Sequence, residues 1–199
     1  MDARALLTVS RPLPVIVGIG GTTRAGSSTE RALRCALGIA ESRGARTHLF
    51  DGPFLASLPI YNPEASERTG QEIMLVETVR CADAIVIATP GYHGGIAGFV
   101  KNAIDLLEDT AKDDRVYFDR LPVGMIVAAY GWQATGSTLG SLRSIIHAMR
   151  GWPTPLGVTI NSRETRFDDL GACSDARIPE QLAAMIDQIL WFAAGRAAA

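Results

Sequence analysis

The chain has 199 residues, 47% of them hydrophobic and 20% charged, which suits one domain with a sizeable core. A formal charge of −2 gives no electrostatic case for nucleic acid or an anionic membrane. Lys and Arg are scattered, with no basic arm.

Val15 to Ile19 follows Pro14 as an apolar run ending in glycines, the pattern of a buried first strand. Ser27 to Arg43 carries Leu33, Leu37 and Ile39 at helical spacing, with serine to cap its start and Gly44 after its end. Ala45 to Phe50 reads as a polar second strand. Residues 51 to 70, with Pro53, Pro59 and Pro63, read as irregular. A helix is expected over Gly70 to Arg80, a continuous apolar strand over Ala84 to Ala88, and a helix over Ala97 to Leu107. A strand over Val123 to Ala129, a helix over Ser137 to Met149, a strand over Pro155 to Ile160 and a helix over Ile178 to Ala194 complete the chain.

Strands alternating with helices imply βαβ units around a parallel sheet. Right-handed crossovers make a doubly wound sheet of order 2-1-3-4-5 the economical solution, with a ligand crevice between the first and third strands. The expectation is one domain over residues 1–199, with 1–13 and 195–199 as flexible tails. The odd cysteine count (Cys35, Cys81, Cys173), without a CxxC pair, argues against a disulfide framework or a zinc site and suits a reducing cytosol. No secretory pattern opens the chain, and no apolar run reaches the ~18 residues of a membrane span. The expected setting is cytoplasmic.

Two loops are unusual, and both follow strands that should meet at the crevice. Gly20-Gly21-Thr22-Thr23-Arg24-Ala25-Gly26-Ser27-Ser28-Thr29 combines glycines, hydroxyls, an arginine and a helix start. Glycines let N–H groups turn inward, and the helix N-terminus favours an anion, so the loop reads as a phosphate cradle. A helix cap needs only one such hydroxyl. Neither a Walker loop nor a GxGxxG fingerprint is present. Thr89-Pro90-Gly91-Tyr92-His93-Gly94-Gly95 offers rigid backbone whose N–H groups suit the edge of a planar heterocycle. After the fourth strand, Gly131 and Trp132 offer a third loop with a stacking face, although a tryptophan there also serves as packing. Trp152, Pro153, Trp191 and Phe192 read as core or interface anchors. The acidic pairs Asp113-Asp114 and Asp168-Asp169 read as solvated, and Lys101 and Asp105 are spaced for a surface ion pair.

At these residues the chain resembles the NAD(P)H-dependent FMN reductases of flavodoxin-like fold, with their quinone- and azo-reductase relatives. The family pattern G-S-x-R-x-x-S is matched by Gly21 to Ser27 with Thr22 for Ser. The pattern T-P-x-Y-N-x-S-x-P-G-x-x-K-N-A-x-D is matched by Thr89 to Asp105, with His93 for Asn, Gly95 for Ser and Ala97 for Pro. Pro59-Ile60-Tyr61-Asn62-Pro63-Glu64 is similar to P-L-Y-N-P-[DE]. The resemblance implies an α/β flavodoxin-like sandwich and an FMN cofactor, with NADPH or NADH as hydride donor. Thr22, Arg24, Ser27, Ser28 and Thr29 would hold the FMN phosphate, and Pro90, Gly91, Tyr92, His93 and Gly94 would cradle the isoalloxazine, framed by Gly131 and Trp132. His93 is the one candidate catalytic group. The resemblance further implies a homodimer or homotetramer. Reduced flavin would serve a monooxygenase partner, or stay bound and reduce a quinone, an azo dye or another small acceptor. A non-enzymatic electron carrier of flavodoxin type is the rival reading.

Overall fold

The computed structural model describes residues 13–168 and 171–196. Strand β1 (Val15–Gly20) is buried from Ile16 onward and lies between β2 (Arg46–Phe50) and β3 (Ala84–Tyr92), parallel to both. β3 pairs in parallel with β5 (Pro122–Ala129), every residue of which is buried. Such uninterrupted apolar strands require cover on both faces.

One face is covered by α1 (Ser28–Ser42) and α6 (Arg177–Arg196), which close a core containing Ile16, Leu33, Val86, Ile126 and Ile186. The other core, around Ile19, Phe50, Leu75, Val100 and Met125, is closed by α3 (Gly70–Arg80), α4 (Gly98–Asp105) and α5 (Trp132–Ala148). A 3₁₀ segment, Leu106–Thr110, continues α4. Gly18 faces Leu33 and Leu37 so closely that a Cβ would stand 2.8 Å from Leu37, which draws α1 tightly onto β1.

The sheet departs from the expected five strands. Among the described residues it has seven, and its path runs β2-β1-β3-β5-β6. The expected fifth strand, Pro155 to Ile160, shortens to β7 (Val158–Asn161), and a separate two-residue strand, β6 (Trp152–Pro153), precedes it; the two pair with the end and the start of the same side of β5. Pro155 has no N–H for the ladder. Around the break, Thr154 Oγ1 donates to the carbonyl of Leu156 at 2.7 Å. The additional strand, β4 (Gly95–Ile96), folds back antiparallel on β3.

The supposedly irregular segment after β2 contains a short helix, α2 (Gly52–Ser57). Asp51 caps it by accepting the Phe54 N–H at 3.1 Å, and Pro53 lies in its first turn, where no N–H is needed. α5 starts at Trp132 rather than Ser137, and α6 continues through Arg196 rather than fraying at Gly195. Residues 1–12 and 197–199 of the expected tails, and Asp169 of the second acidic pair, lie outside the described residues. No helix among the described residues is long and apolar enough to cross a membrane.

Candidate functional site

The carboxyl ends of β1, β3 and β5 carry the three loops that the sequence singles out. Gly20 ends β1 at φ +146°, and a Cβ there would stand 1.8 Å from the carbonyl oxygen of Ala88. Gly21 N–H then donates to that same oxygen at 3.2 Å. Only a bare backbone permits this approach, which starts the first two loops side by side.

The first loop is built on local hydrogen bonds. Thr22 Oγ1 accepts the Arg24 N–H at 3.2 Å and donates to the Arg24 carbonyl at 2.9 Å. Ser27 caps α1, its Oγ accepting the Glu30 N–H at 3.2 Å. Glu30, nearly buried, accepts the Gly26 N–H at 2.9 Å and is neutralised by Arg34 at 2.8 Å. The Ser27-x-x-Glu30 spacing is the sequence signal for this bracing. Arg34 also reaches Asp51, so the acid at the end of β2 serves structure.

Among the described residues, the N–H groups of Ser28 and Thr29 have no acceptor, and Arg24 is exposed with no ion pair. Ser28 is half-buried, whereas Thr29 is buried. Free N–H groups at a helix N-terminus, an available guanidinium and hydroxyls form a donor set that suits a phosphate. The loop thus fits the phosphate end of FMN, and Ser27 contributes through the cap it makes.

The second loop is a hairpin. β3 runs on through Pro90 and Gly91 to Tyr92, then turns at His93 (φ +51°) and Gly94 (φ +85°) into β4. Two central residues at positive φ define a type I′ turn, where Asn-Gly is the usual pair. His93 is exposed at the tip and makes no hydrogen bond or ion pair among the described residues. Pro90 is buried and Tyr92 is 55% exposed. A buried hydroxyl closes the hairpin: Thr89 Oγ1 accepts the Ala97 N–H at 3.0 Å.

The third loop lies against the second. A Cβ on Gly91 would stand 2.7 Å from Thr138 Oγ1 and 3.0 Å from Ala129 Cβ. Gly131 (φ +121°) precedes α5, and its N–H donates to Asn161 Oδ1 at 3.1 Å. Asn161, buried at the end of β7, also accepts the Arg163 N–H and donates to Glu164. Trp132, 50% exposed in the first turn of α5, and Tyr130, 74% exposed, put aromatic faces on this rim. Arg163 lies 5.7 Å from the centre of the Tyr130 ring.

Asn102 on α4 explains why two separated motifs occur together. Its Oδ1 accepts the Tyr61 N–H at 2.8 Å, and its Nδ2 donates to the Pro59 carbonyl at 2.9 Å. The same helix carries the Lys101–Asp105 pair at 2.6 Å on its exposed side.

Trp152 and Trp191 are not core: they are 58% and 79% exposed. With Phe192, Pro122 and Pro155 they line an apolar groove of about 620 Å³. That groove adjoins the amino end of β5, at the opposite end of the sheet from the three loops.

An α/β sheet of this order, with an anion-accepting helix start and an aromatic rim at its carboxyl ends, defines a flavodoxin-like nucleotide-binding protein. Residues 14–165 match the family model of the NADPH-dependent FMN reductases, so the chain belongs to that family of flavin-dependent oxidoreductases. It is 29% identical to the NAD(P)H-dependent FMN reductase PA1204 of Pseudomonas aeruginosa, over 88% of this chain and 94% of that protein. It is 30% identical to an FMN-dependent NADPH-azoreductase of Staphylococcus saprophyticus, over 87% of this chain and 92% of that protein. Among solved structures, the flavoenzyme NAD(P)H:(acceptor) oxidoreductase FerB of Paracoccus denitrificans has the same fold. The TM-score is 0.74 at 18% identity, over 90% of this chain and 99% of that one. FMN and a nicotinamide nucleotide are the cofactors of the family.

Proposed function

We propose that this protein takes hydride from NADPH or NADH onto FMN held across the three loops at the carboxyl ends of β1, β3 and β5. The observation that carries the reading is the convergence of an available anion site, Ser28 and Thr29 N–H with Arg24, on the hairpin Pro90 to Gly95 and the Trp132 rim. Bound FMN supplies the hydride-accepting chemistry.

The protein's part is position and charge. Thr22 fixes the turn that presents Arg24, and Ser27 and Glu30 fix the start of α1, so the donors for the phosphate are ordered before it arrives. Thr89 and Gly91 hold the hairpin backbone where the edge of a planar ring would lie against it. Tyr92, Tyr130 and Trp132 give the outer wall an aromatic surface for nicotinamide or acceptor. A hydride transfer needs no side-chain base, and in this reading the role of His93 is to make the turn.

The aromatic rim also favours a second reading, in which bound FMN passes electrons to a flat acceptor such as a quinone or azo compound. Release of reduced flavin to a monooxygenase is the other fate. A homodimer or homotetramer in the cytoplasm completes the proposal, on the family resemblance.

Equilibrium binding of FMN against riboflavin, followed by quenching of flavin fluorescence, tests the phosphate cradle. FMN is expected to bind at least about tenfold more tightly, since a charge-assisted contact contributes about 1.5–3 kcal/mol. Equal binding would remove the cradle from the account.

A further inference from the structure

The chain turns back immediately after β7, and the turn is pinned to the third loop. Ser162 N–H donates to the Ala129 carbonyl at 2.9 Å, and the N–H groups of Glu164 and Thr165 donate to the Asn161 carbonyl at 3.0 and 2.9 Å. The buried Asn161 side chain completes the pin, its Oδ1 accepting the N–H of Gly131 and that of Arg163, each at 3.1 Å. One amide thus fixes Arg163 relative to Tyr130 and Trp132, the two neighbours of Gly131. The Arg163 guanidinium stands over the Tyr130 ring, 5.7 Å from its centre.

Arg163 is exposed, and among the described residues its guanidinium makes no ion pair or hydrogen bond. The neighbouring acid is occupied elsewhere, since Glu164 accepts from Asn161 Nδ2 at 2.8 Å. A guanidinium stacked on a ring keeps its N–H fork for an anion, because contact through its face uses none of its donors. Gly20, Ala88, Ile126 and Val158 lie in register across β1, β3, β5 and β7. Three strand spacings of about 4.8 Å therefore separate the strand behind Arg163 from the strand behind Arg24, roughly 14 Å in all. The FMN phosphate belongs to the Arg24 loop. Arg163 faces a second anion, on the aromatic rim that the reading above gives to the nicotinamide nucleotide.

We propose that Arg163, backed by Tyr130, receives the 2′-phosphate of NADPH and so makes this protein prefer NADPH to NADH. The inference rests on the reductase reading and adds to it the residue that chooses the hydride donor. The two nucleotides differ only in that phosphate, a monoester with close to two charges and three acceptor oxygens at neutral pH. A guanidinium fork meets such a group bidentately, whereas a contact with the pyrophosphate, common to both nucleotides, would not discriminate. The contact lies on an exposed rim, so the discrimination grows as ionic strength falls.

The test is calorimetric titration of the FMN-saturated full chain with NADP+ and with NAD+, each to millimolar concentration, beside Arg163→Ala and Arg163→Lys. The unaltered chain is expected to bind NADP+ at least about tenfold more tightly than NAD+, as a charge-assisted contact implies. Arg163→Ala brings NADP+ down to the level of NAD+ and leaves NAD+ within about twofold, while Arg163→Lys, which keeps the charge and loses the fork, falls between. Equal affinities in the unaltered chain, no binding of either nucleotide, or a preference that survives Arg163→Ala would overturn the proposal. A parallel loss of both nucleotides in Arg163→Ala would also overturn it, by moving the contact to the pyrophosphate. Oxidised nucleotides deliver no hydride, so a protein that keeps the preference but never reduces its flavin would lose the reductase reading and retain this site.

Discussion

Thr89 Oγ1, fully buried, accepts the N–H of Ala97 across the whole length of the β3–β4 hairpin, at 3.0 Å. The same hydroxyl donates to the adjacent Pro90 carbonyl at 2.9 Å, so it is satisfied on both sides. One side chain thus sets where the hairpin leaves β3 and where α4 begins.

Thr89→Val keeps the shape and leaves the Ala97 N–H buried without an acceptor. Denaturant unfolding is expected to show a loss of about 1–3 kcal/mol. FMN affinity should fall as well, because the hairpin frames the ring. An unchanged midpoint would mean that water or another group replaces the hydroxyl at no cost.

His93 occupies a left-handed position in a turn that favours Asn-Gly. His93→Asn is expected to leave stability and turnover within a few-fold of the unaltered protein. His93→Val, β-branched at positive φ, should destabilise by about 1–3 kcal/mol. Steady-state kinetics of the asparagine variant separate the roles, since a catalytic imidazole would cost about 100-fold or more in kcat.

Arg24 is the exposed cation of the first loop and makes no ion pair among the described residues. Arg24→Ala should weaken FMN binding about tenfold or more, in keeping with a charge-assisted contact. Riboflavin binding should be unaffected. A parallel loss for both flavins would place Arg24 at the ring or in loop folding instead of at the phosphate.

The acid dependence of stability has a named contributor where α3 ends. Hydrogen bonding by the Arg80 guanidinium, at 2.7 Å, holds the Asp113 carboxyl below the usual carboxylate range. A depressed folded value means the pair stabilises above the unfolded value, about 3.9, and that this contribution is lost as pH falls through the folded value. The pair is partly exposed, so its effect at pH 7 stays under about 1 kcal/mol. Urea unfolding of Asp113→Asn should show a small deficit at pH 7 that narrows toward pH 3. A deficit independent of pH would contradict the assignment.

The parts of the fold legible in the sequence are those buried on both faces. β1, β3 and β5 show as continuous apolar runs, and the helices between them show apolar spacing at the helical period. Prolines misled in both directions. Pro53, a breaker by type, lies in the first turn of α2, and Pro155, the expected start of a strand, lies in the gap between β6 and β7. The β3–β4 turn was hidden because His93-Gly94 departs from the usual turn pair, and the stretch read as a strand-to-helix loop.

The candidate site was legible in its loops and not in what holds them. Glycines and hydroxyls near Arg24 mark the cradle locally, because the physics that selects them is local. Asn102 reaches Tyr61 across 41 positions, and Asn161 reaches Gly131 across 30. Such pins depend on which strands become neighbours, and no spacing rule along the chain exposes them. Glu30 is the exception, since its place three residues after Ser27 gave a usable signal.

The central claim is hydride transfer from a nicotinamide to FMN at the three-loop site. It is tested most directly by an anaerobic visible spectrum of the purified protein with FMN, recorded before and after addition of NADPH and, separately, NADH. The account predicts rapid loss of the oxidised-flavin absorption with at least one nucleotide, and much slower loss in the Arg24→Ala variant at the same subsaturating FMN. A flavin that binds and stays oxidised with both nucleotides would contradict the account and leave an electron carrier in its place.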